Sequence, residues 1–358
     1  MPKIIKKLIK LFCVLLVLGL ATAALAVGIF IHLNSAPDAQ LLAHNRNAAT
    51  LRIENENVLI LEVRSGESAI SVGRRLEEAG IIRTQFLWRI LSRLENDHIK
   101  TGTYRIALPI SQLGIYSLLV EGRQILVRVT IPEGATLKRA GNALEAAGIC
   151  SAADFIAAAS SERLRELYNI QGETMEGFLF PDTYLFPLAY PAERVVMAMA
   201  DNFFQRLSYI VPNIHAMDMA EINRRVILAS IVEREYRVAE EAAIMAGVFS
   251  NRLRINMALQ SCATVEYVIT EILGRPHPRV LYFRDLEIPS PYNTYRQPGL
   301  PPGPISAPGE IALRAAFFPA TTNYFFFRLI DPATGRHYFS RTMDEHIQAG
   351  TLYLKGPS

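Results

Sequence analysis

Two glutamates lie two positions apart in Val226–Glu235, a segment that reads VILASIVERE. A helix through this segment turns about 100° per residue, which places Glu235 at the centre of an apolar stripe with Leu228 and Val232. Glu233 lies about 160° away around the same helix. The pattern therefore predicts two carboxylates that point in nearly opposite directions and cannot act as a close pair.

The position of Glu235 on an apolar stripe has a chemical consequence. Apolar surroundings penalise the charged form of a carboxyl group, so its pKa rises and it can hold a proton near neutral pH. A general acid needs this property. The alternative interpretation is that Glu235 marks the helix end or pairs with a basic residue such as Arg237 or Arg252. Periodicity alone leaves both interpretations open.

A second candidate segment is rich in Tyr, Asn, Pro and Gly. Ser290–Tyr295 reads SPYNTY and is followed by Gly299–Ile305, which reads GLPPGPI. Long irregular loops of this kind are commonly functional. Tyrosine has an apolar face with a polar edge, and asparagine pairs a donor with an acceptor, so both suit sugar hydroxyls and N-acetyl groups. A well-packed structural loop explains the composition equally well.

Several elements must position these residues. Ile288–Pro308 is predicted to be irregular because it is crowded with Pro and Gly. The predicted regular elements are helices at Ala192–Leu207, Ala220–Glu235, Ala239–Arg254 and Ile311–Ala316, and a β-hairpin of Tyr324–Ile330 with His337–Ser340.

The first half of the chain contains an internal repeat with an offset of 68 residues. Each copy predicts a strand (Val58–Val63, then Leu126–Ile131), a Gly-containing turn, and a helix that ends in LEEAGI or LEAAGI. Two copies do not make a solenoid. They predict a small α/β module that either binds extended polymers such as glycans or serves as a spacer, and the repeat does not distinguish these.

The N-terminus predicts a membrane anchor. Residues 1–10 are basic, whereas Leu11–Leu33 contains no charged side chain and is long enough to cross a bilayer. The positive-inside rule puts residues 1–10 in the cytoplasm and the chain after Asn34 outside, with 34–57 as a linker. A cleaved signal peptide is the alternative, but the apolar run is longer than a signal core.

Composition narrows the classes of function. The chain has 358 residues, half of them hydrophobic, which argues for a folded core and against intrinsic disorder. A net charge of +3 gives no support for nucleic-acid binding. The cysteines, Cys13, Cys150 and Cys262, form no metal-binding pattern, so we expect no metal and no cofactor. Cys150 and Cys262 could pair, but their spacing carries no signal.

Several segments resemble one family of enzymes. In the family's order they are EGFLFPDTY, LASIVERE, FSNRLRINMALQS, TVEYV, SPYNTYRQPGLPPGPI and HYFSRT with a later EH. These segments, the repeat region and the N-terminal anchor are similar to the MltG/YceG-like endolytic murein transglycosylases. The resemblance implies an α+β fold in three parts: a transmembrane helix, a LysM-like α/β module and an α+β catalytic domain. It places the module at 58–131, a second repeat at 132–171 and the catalytic domain at 172–358.

The resemblance also implies an activity. Such an enzyme is a lyase that cuts the β-1,4 bond between N-acetylmuramic acid and N-acetylglucosamine within peptidoglycan strands. One Glu acts as both acid and base and leaves a 1,6-anhydro end, which departs from the two-carboxylate scheme of most glycosidases. The implied partners are peptidoglycan strands and a cell-wall synthase whose nascent strands it terminates. The implied location is the inner membrane, crossed once, with the catalytic domain outside.

The family's motifs map onto particular residues here. They imply Glu235 as the catalytic acid/base, with Glu233 as possible support. Tyr236 stands where a small hydroxyl residue is commoner, and Ser261-Cys262-Ala263-Thr264 stands where many relatives carry an Asp-Pro before the Thr. The residues implied to line the substrate cleft are Gln260, Thr264, Tyr292, Asn293 and Tyr295.

Two other functions remain as alternatives. A non-catalytic glycan-binding scaffold of the cell-wall apparatus would carry the same anchor and module, but it has no need of a desolvated acid. A muramidase-type hydrolase would need a second carboxylate. Glu266, Asp285 and Glu287 are the candidates for that role, and none lies in a supporting motif.

Overall fold

The structure is a computed structural model that describes residues 3–36, 51–55, 58–64, 66–94 and 99–354. The chain forms two compact units. The first comprises residues 1–126 with 187–189, and the second comprises residues 127–186 with 190–358. Both combine helices with small sheets, so the predicted mixture of α and β structure is confirmed.

The first helix, α1 (Lys3–Asn34), contains the predicted apolar run. Within its segment Lys10–Asn34, an 18-residue stretch has a mean hydropathy of 2.7 and contains no buried residue. A lone helix of this length and composition fits a single-pass membrane anchor. A signal sequence meets the same criteria, so retention of the helix and its orientation stay predictions.

The first unit is built around a three-stranded antiparallel sheet. Its strands lie in the order β1 (Leu51–Asn55), β2 (Val58–Val63) and β3 (Gly102–Ala107). The other elements are helices α2 (Ala69–Glu78), α3 (Gln85–Leu94) and α4 (Gln112–Glu121). Strand β1 lies inside the segment that was predicted to be a linker. Sequence analysis missed this strand because its pairing with β2 is not visible in a short local pattern. Residues 37–50 and 56–57 of that predicted linker lie outside the described residues.

Trp88 on α3 is the centre of the core of the first unit. It is fully buried, and its ring meets the Tyr116 ring edge-on at 5.2 Å between centroids. Gly73 on α2 allows this packing, because a Cβ atom there would lie 2.6 Å from the indole ring. The absence of a side chain at Gly73 therefore lets α2 and α3 approach each other closely.

The second unit begins with elements that enclose its core. Strand β4 (Leu126–Thr130) pairs with β5 (Thr183–Pro187). The helices along this part of the chain are α5 (Leu137–Ala146), α6 (Ala152–Ala159), α7 (Glu162–Leu167), α8 (Ala192–Ile210), α9 (Met219–Glu235) and α10 (Ala239–Arg254). A 3₁₀ turn, Ile214–Ala216, joins α8 to α9.

The remaining elements of the second unit are shorter. They are α11 (Cys262–Tyr267), a π-helical turn (Val268–Ile272), α12 (Phe283–Leu286), α13 (Glu310–Phe317), the hairpin β6 (Phe326–Asp331) with β7 (Arg336–Ser340), and α14 (Met343–Leu354). The predicted long helices and the hairpin are confirmed. Sequence analysis missed β5, α7, α11, α12 and α14; α7, α11 and α12 are too short to show a helical period.

The internal repeat is also a structural repeat at the level of local geometry. The side chains of Ser68 and Thr136 cap α2 and α5 in the same way, each accepting a backbone N–H three residues on. After the helices, Gly80 and Gly148 adopt φ values of 71° and 70°. Both copies therefore use glycine for the same left-handed turn.

The domain boundary predicted near Gly172 falls inside the second unit. Leu144 and Phe155 of the second repeat belong to the same hydrophobic core as Phe178 and Phe203. The second repeat therefore packs into the unit that carries Glu235.

Candidate active site

Helix α9 runs through the middle of the second unit and packs against α10 and α13. Leu228, Ile231 and Val232, which form the predicted apolar stripe, are buried. Val226 and Ser230 on the opposite face are also fully buried. The helix is therefore enclosed by protein on both faces, and both of its C-terminal glutamates are desolvated.

Glu235 is the last residue of α9 and lies on the wall of an open cleft. Its carboxylate oxygen Oε1 accepts a hydrogen bond from the Oγ of Ser261. Burial raises the pKa of Glu235, and the negative charge of Glu266 raises it further. The hydrogen bond from Ser261 and the positive charge of Arg234 lower that pKa in part. Glu235 thus has the environment that was predicted for a general acid.

The cleft has a volume of about 420 Å³. Its wall is basic and partly aromatic, and Glu235 is its single carboxylate among the described residues. The lining residues are Arg234, Glu235, Arg237, Arg252, Leu259, Gln260, Cys262, Tyr295, Phe326, Phe327, Arg328, Leu329, His337, Met343 and His346.

Glu233 has a different set of contacts. Its Oε2 accepts the backbone N–H of Gly309 at 2.8 Å, and its side chain also bonds to the hydroxyl of Tyr236. Burial raises its pKa to about 7, and the nearby carboxylate of Glu133 adds to the shift. Desolvation therefore does not distinguish Glu233 from Glu235, contrary to the helix-wheel argument. Their partners distinguish them, because Glu233 fastens the loop before α13 while Glu235 faces the cleft.

Gln260 and Tyr295 lie on the wall of the cleft with Glu235. Gln260 adopts a φ of 52° and donates its backbone N–H to the carbonyl of Thr294 at 3.1 Å. The hydroxyl of Tyr295 lies 3.2 Å from the Sγ of Cys262. Burial raises the pKa of Tyr295, so its hydroxyl keeps its proton and can donate a hydrogen bond.

Thr264 and Asn293 lie beneath the cleft surface rather than on it. Both are fully buried. The Oγ1 of Thr264 lies 2.9 Å from that of Thr294, and the amide of Asn293 donates to the carbonyls of Leu286 and Ile288 at 2.9 Å each. These bonds set the course of the Pro- and Gly-rich loop that carries Tyr295.

Tyr292 lies apart from the cleft residues. Its ring is 5.2 Å from that of Tyr267 between centroids, and its hydroxyl lies close to Gly303. The structure therefore brings Gln260 and Tyr295 to Glu235 and gives Thr264, Asn293 and Tyr292 contacts within the protein.

Three further residues shape the site; sequence analysis did not assign Ser261 or His337 to it, and offered Arg252 only as an ion-pair partner of Glu235. Ser261 bonds to Glu235, His337 lies in the cleft, and Arg252 is nearly buried beside them. Arg252 donates to the carbonyls of Leu259 and Phe325, each at 2.6 Å, so it holds the site together rather than pairing with Glu235. The motif HYFSRT, which contains His337, was the sequence signal that could have assigned this histidine to the site.

The structure also shows where the candidates for a second, hydrolase-type carboxylate lie. Glu266 forms an ion pair with Arg234 at 3.0 Å, and Asp285 accepts the N–H of Tyr282 at 2.8 Å. Neither of these carboxylates, nor Glu287, is among the residues that line the cleft.

Cys150 and Cys262 are free thiols in the structure. Across the described residues, no group of three or more His, Cys, Asp or Glu side chains is placed to hold a metal ion.

The fold and the cleft define a class: an α+β protein with a buried acid at the end of a central helix, facing a basic and aromatic wall. The chain belongs to the YceG-like family, which matches residues 61–351. This match takes in the whole of the site described above.

Curated relatives carry a common name. An endolytic murein transglycosylase of Bacillus subtilis is 28% identical over 323 residues, which are 84% of this chain and 86% of the relative. An endolytic murein transglycosylase of Streptococcus pneumoniae is 25% identical over 315 residues, or 78% of this chain. The match spans only 56% of the length of the streptococcal protein.

A solved structure shares the fold. The crystal structure of a yceG-like protein from Listeria monocytogenes superposes with a TM-score of 0.55 at 27% sequence identity. The similarity covers 81% of this chain and 98% of the Listeria chain.

Proposed function

We propose that this protein is an endolytic murein transglycosylase, a lyase that cuts peptidoglycan strands internally. The main support for this proposal is the desolvated carboxyl of Glu235 on the wall of the cleft. No second carboxylate is found among the described residues that line this cleft. The family and the name shared by the relatives support the same substrate.

The reaction proposed for Glu235 has two proton transfers. The protonated carboxyl first gives its proton to the glycosidic oxygen between N-acetylmuramic acid and N-acetylglucosamine, and the C1–O bond of the muramic acid breaks. The resulting carboxylate then removes the proton from the C6 hydroxyl of the same sugar, and O6 bonds to C1. The product is a 1,6-anhydro end, Glu235 is protonated again, and no water is consumed.

The surroundings of Glu235 suit both steps. Burial favours the protonated acid that the first step needs. Once the proton has left, the hydroxyl of Ser261 can donate to the new carboxylate, and the charge of Arg234 also favours it. Burial therefore favours the protonated form that the first step uses, and the hydrogen bond from Ser261 favours the carboxylate that the second step uses.

The other site residues have supporting roles in this proposal. Gln260 and Tyr295 contact the sugar from the cleft wall, while Thr264 and Asn293 hold the loops that present them. Tyr292 supports the same loop through its contact with Tyr267. Glu233 supports α9 through Gly309 and takes no part in proton transfer.

The remaining proposals concern location and partners. Helix α1 anchors the protein in the inner membrane with residues 1–10 in the cytoplasm, so the cleft faces the cell wall. There the enzyme works beside a cell-wall synthase and ends the growth of nascent strands. The order β2, α2, α3, β3 in the first unit forms the LysM-like module, which holds the glycan.

Mass spectrometry of the products tests the proposed reaction. Purified glycan strands incubated with the protein should yield internal fragments with 1,6-anhydro ends. Fragments with reducing muramic acid would show a muramidase-type hydrolase instead. Strands that bind without being cut would show a glycan-binding scaffold.

A further inference from the structure

His337 is a buried histidine on the wall of the same cleft as Glu235. It lies near the start of β7, where it pairs with Leu329 of β6, and its side chain is only 6% exposed. Its ring meets that of Phe327 edge-on, with 5.9 Å between centroids. The imidazole is therefore held rigidly, and the part of it that remains accessible faces the cleft.

The carboxylate of Glu241 fixes the orientation of this imidazole. Glu241 lies in the first turn of α10. Its Oε2 is 2.8 Å from the Nδ1 of His337, and both of its oxygens accept the backbone N–H of His337 at 3.2 Å. An ionised carboxylate only accepts hydrogen bonds, so Nδ1 carries the proton. In the neutral ring, Nε2 is then a hydrogen-bond acceptor.

We propose that the Nε2 of His337 accepts a hydrogen bond from a sugar hydroxyl and positions the glycan against Glu235, with Glu241 holding the imidazole in the required tautomer. The same arrangement of a carboxylate behind a histidine fixes the ring nitrogen that faces a ligand in many protein sites. This inference rests on the proposed function, since the glycan is its ligand.

The side chains that share the cleft wall with His337 are rich in hydrogen-bond donors. They include Arg234, Arg237, Arg252 and Arg328. Arginine has no acceptor atom. The Nε2 of the neutral His337 ring therefore supplies this wall with an acceptor for a sugar hydroxyl.

A purely structural role is the competing explanation, because the contacts between Glu241 and His337 also fasten the hairpin to α10. Two variants of similar size separate the roles. His337→Gln keeps an acceptor oxygen, whereas His337→Leu has none, and neither side chain titrates. Tyr338→Phe, at the partly exposed neighbouring position, is the matched control.

The first measurement is binding of purified glycan oligosaccharides by the full-length protein in the Glu235→Gln background, where nothing is cut. His337→Leu should weaken binding about 10- to 100-fold, as expected when a polar substrate group loses its partner. His337→Gln should stay within a few-fold of the parent, and Tyr338→Phe should not differ from it. Equal binding by the Leu variant, or equal losses in the Leu and Gln variants, would overturn the proposal.

The second measurement is the kinetics of cutting with Glu235 intact. His337→Leu should raise the KM for glycan strands about 10- to 100-fold, whereas His337→Gln should stay within a few-fold of the wild type. A structural role alone would change the two variants equally, and an unchanged KM in the Leu variant would overturn the proposal. Absence of cutting by the wild-type protein would contradict the proposed function, while the binding result would still decide the role of His337.

Discussion

At the residue scale, Glu235 and Glu233 show that burial alone does not identify a catalytic carboxylate. Both are desolvated, but Glu233 is bonded to the backbone of Gly309, whereas Glu235 has only the hydroxyl of Ser261 as a neutral partner and faces open space. A carboxylate that already accepts a hydrogen bond from a backbone N–H, as Glu233 does, is less free to exchange a proton with the substrate. The role of each carboxylate follows from its partners.

The first prediction concerns these two residues. Glu235→Gln keeps the size of the side chain but removes its titratable proton, so turnover of glycan strands should fall by about 10²–10⁴-fold with the fold intact. Glu233→Gln should reduce turnover much less, because an amide oxygen can still accept the N–H of Gly309. Assays of product release with circular dichroism as a folding check measure both effects. Full activity in Glu235→Gln would rule out the single-acid mechanism.

A second prediction concerns Glu176, which is buried under the start of α5. Its oxygens accept the N–H of Leu137 at 3.2 and 3.1 Å, and burial raises its pKa to about 8. The folded state therefore binds this proton more tightly than the unfolded state does. The stabilisation is fully present below pH 4.5, the ordinary pKa of the group, and is lost as the pH rises through about 8.

Glu176→Gln cannot ionise, so its free energy of unfolding should depend less on pH than that of the wild type. Relative to the wild type, the variant should gain on the order of 1.4 kcal/mol per pH unit across this interval. Urea unfolding at several pH values measures the difference. Glu173→Gln, on the exposed side of the same loop, is the control and should leave the pH dependence unchanged.

At the element scale, the Pro- and Gly-rich loop is attached to α9 by paired polar contacts. The Oγ of Ser230 accepts the N–H of Ile305 at 3.0 Å, and the Oγ of Ser306 donates to the carbonyl of Ser230 at 3.1 Å. One helical turn later, Glu233 accepts the N–H of Gly309. These contacts lie in the core, where an unpaired polar group is costly. The helix and the loop are therefore fixed to each other along the stretch that leads to Glu235.

The third prediction follows from this attachment. Ser230→Ala leaves the buried N–H of Ile305 without its acceptor and should lower the free energy of unfolding by about 1–3 kcal/mol. Ser250→Ala is the matched control, because the Oγ of Ser250 bonds only to the carbonyl one turn back in its own helix. Chemical denaturation compares the two variants. Equal effects would mean that the loop is held by its packing rather than by Ser230.

At the scale of the whole molecule, the second repeat and the catalytic segment share one hydrophobic core. The core side chains of the repeat include Leu144 and Phe155, both fully buried. Burying one such side chain stabilises a fold by about 1.5–3 kcal/mol. Loss of the repeat would expose the apolar surfaces against which these residues pack.

The fourth prediction concerns the boundary of this unit. A shortened protein that begins at Val127 should fold and keep measurable cutting activity, because it retains nearly the whole second unit. One that begins at Gly172 should be insoluble or unfolded, since it lacks β4, α5 and α6. Circular dichroism and thermal unfolding of the two proteins test this. A stable protein beginning at Gly172 would restore the boundary that the sequence predicted.

The fifth prediction concerns topology. With the basic residues preceding the apolar helix, the C-terminus should lie outside the cytoplasm. A reporter enzyme that is active only outside the cytoplasm should therefore be active when fused after Ser358. Activity of a cytoplasmic reporter at the same position would reverse the orientation and separate the cleft from the cell wall.

Features that depend on local pattern were predictable from the sequence. The apolar run of α1, the boundaries of α10 and the position of Glu235 on its helix all follow from residue spacing, because helical periodicity is a property of neighbouring residues. The glycine turns of the repeat were also readable, since glycine is favoured where φ is positive.

Which side chains are in contact depends on the tertiary structure and could not be predicted from the sequence. Ser261 and His337 reach Glu235 from distant parts of the chain, and Asn293, predicted to contact substrate, instead bonds to carbonyls within its own loop. The desolvation of Glu233 likewise depends on the loop that packs over α9. Such contacts arise from the packing of remote elements, whose hydrogen bonds and apolar surfaces are satisfied only when the whole unit is folded, so local spacing does not encode them.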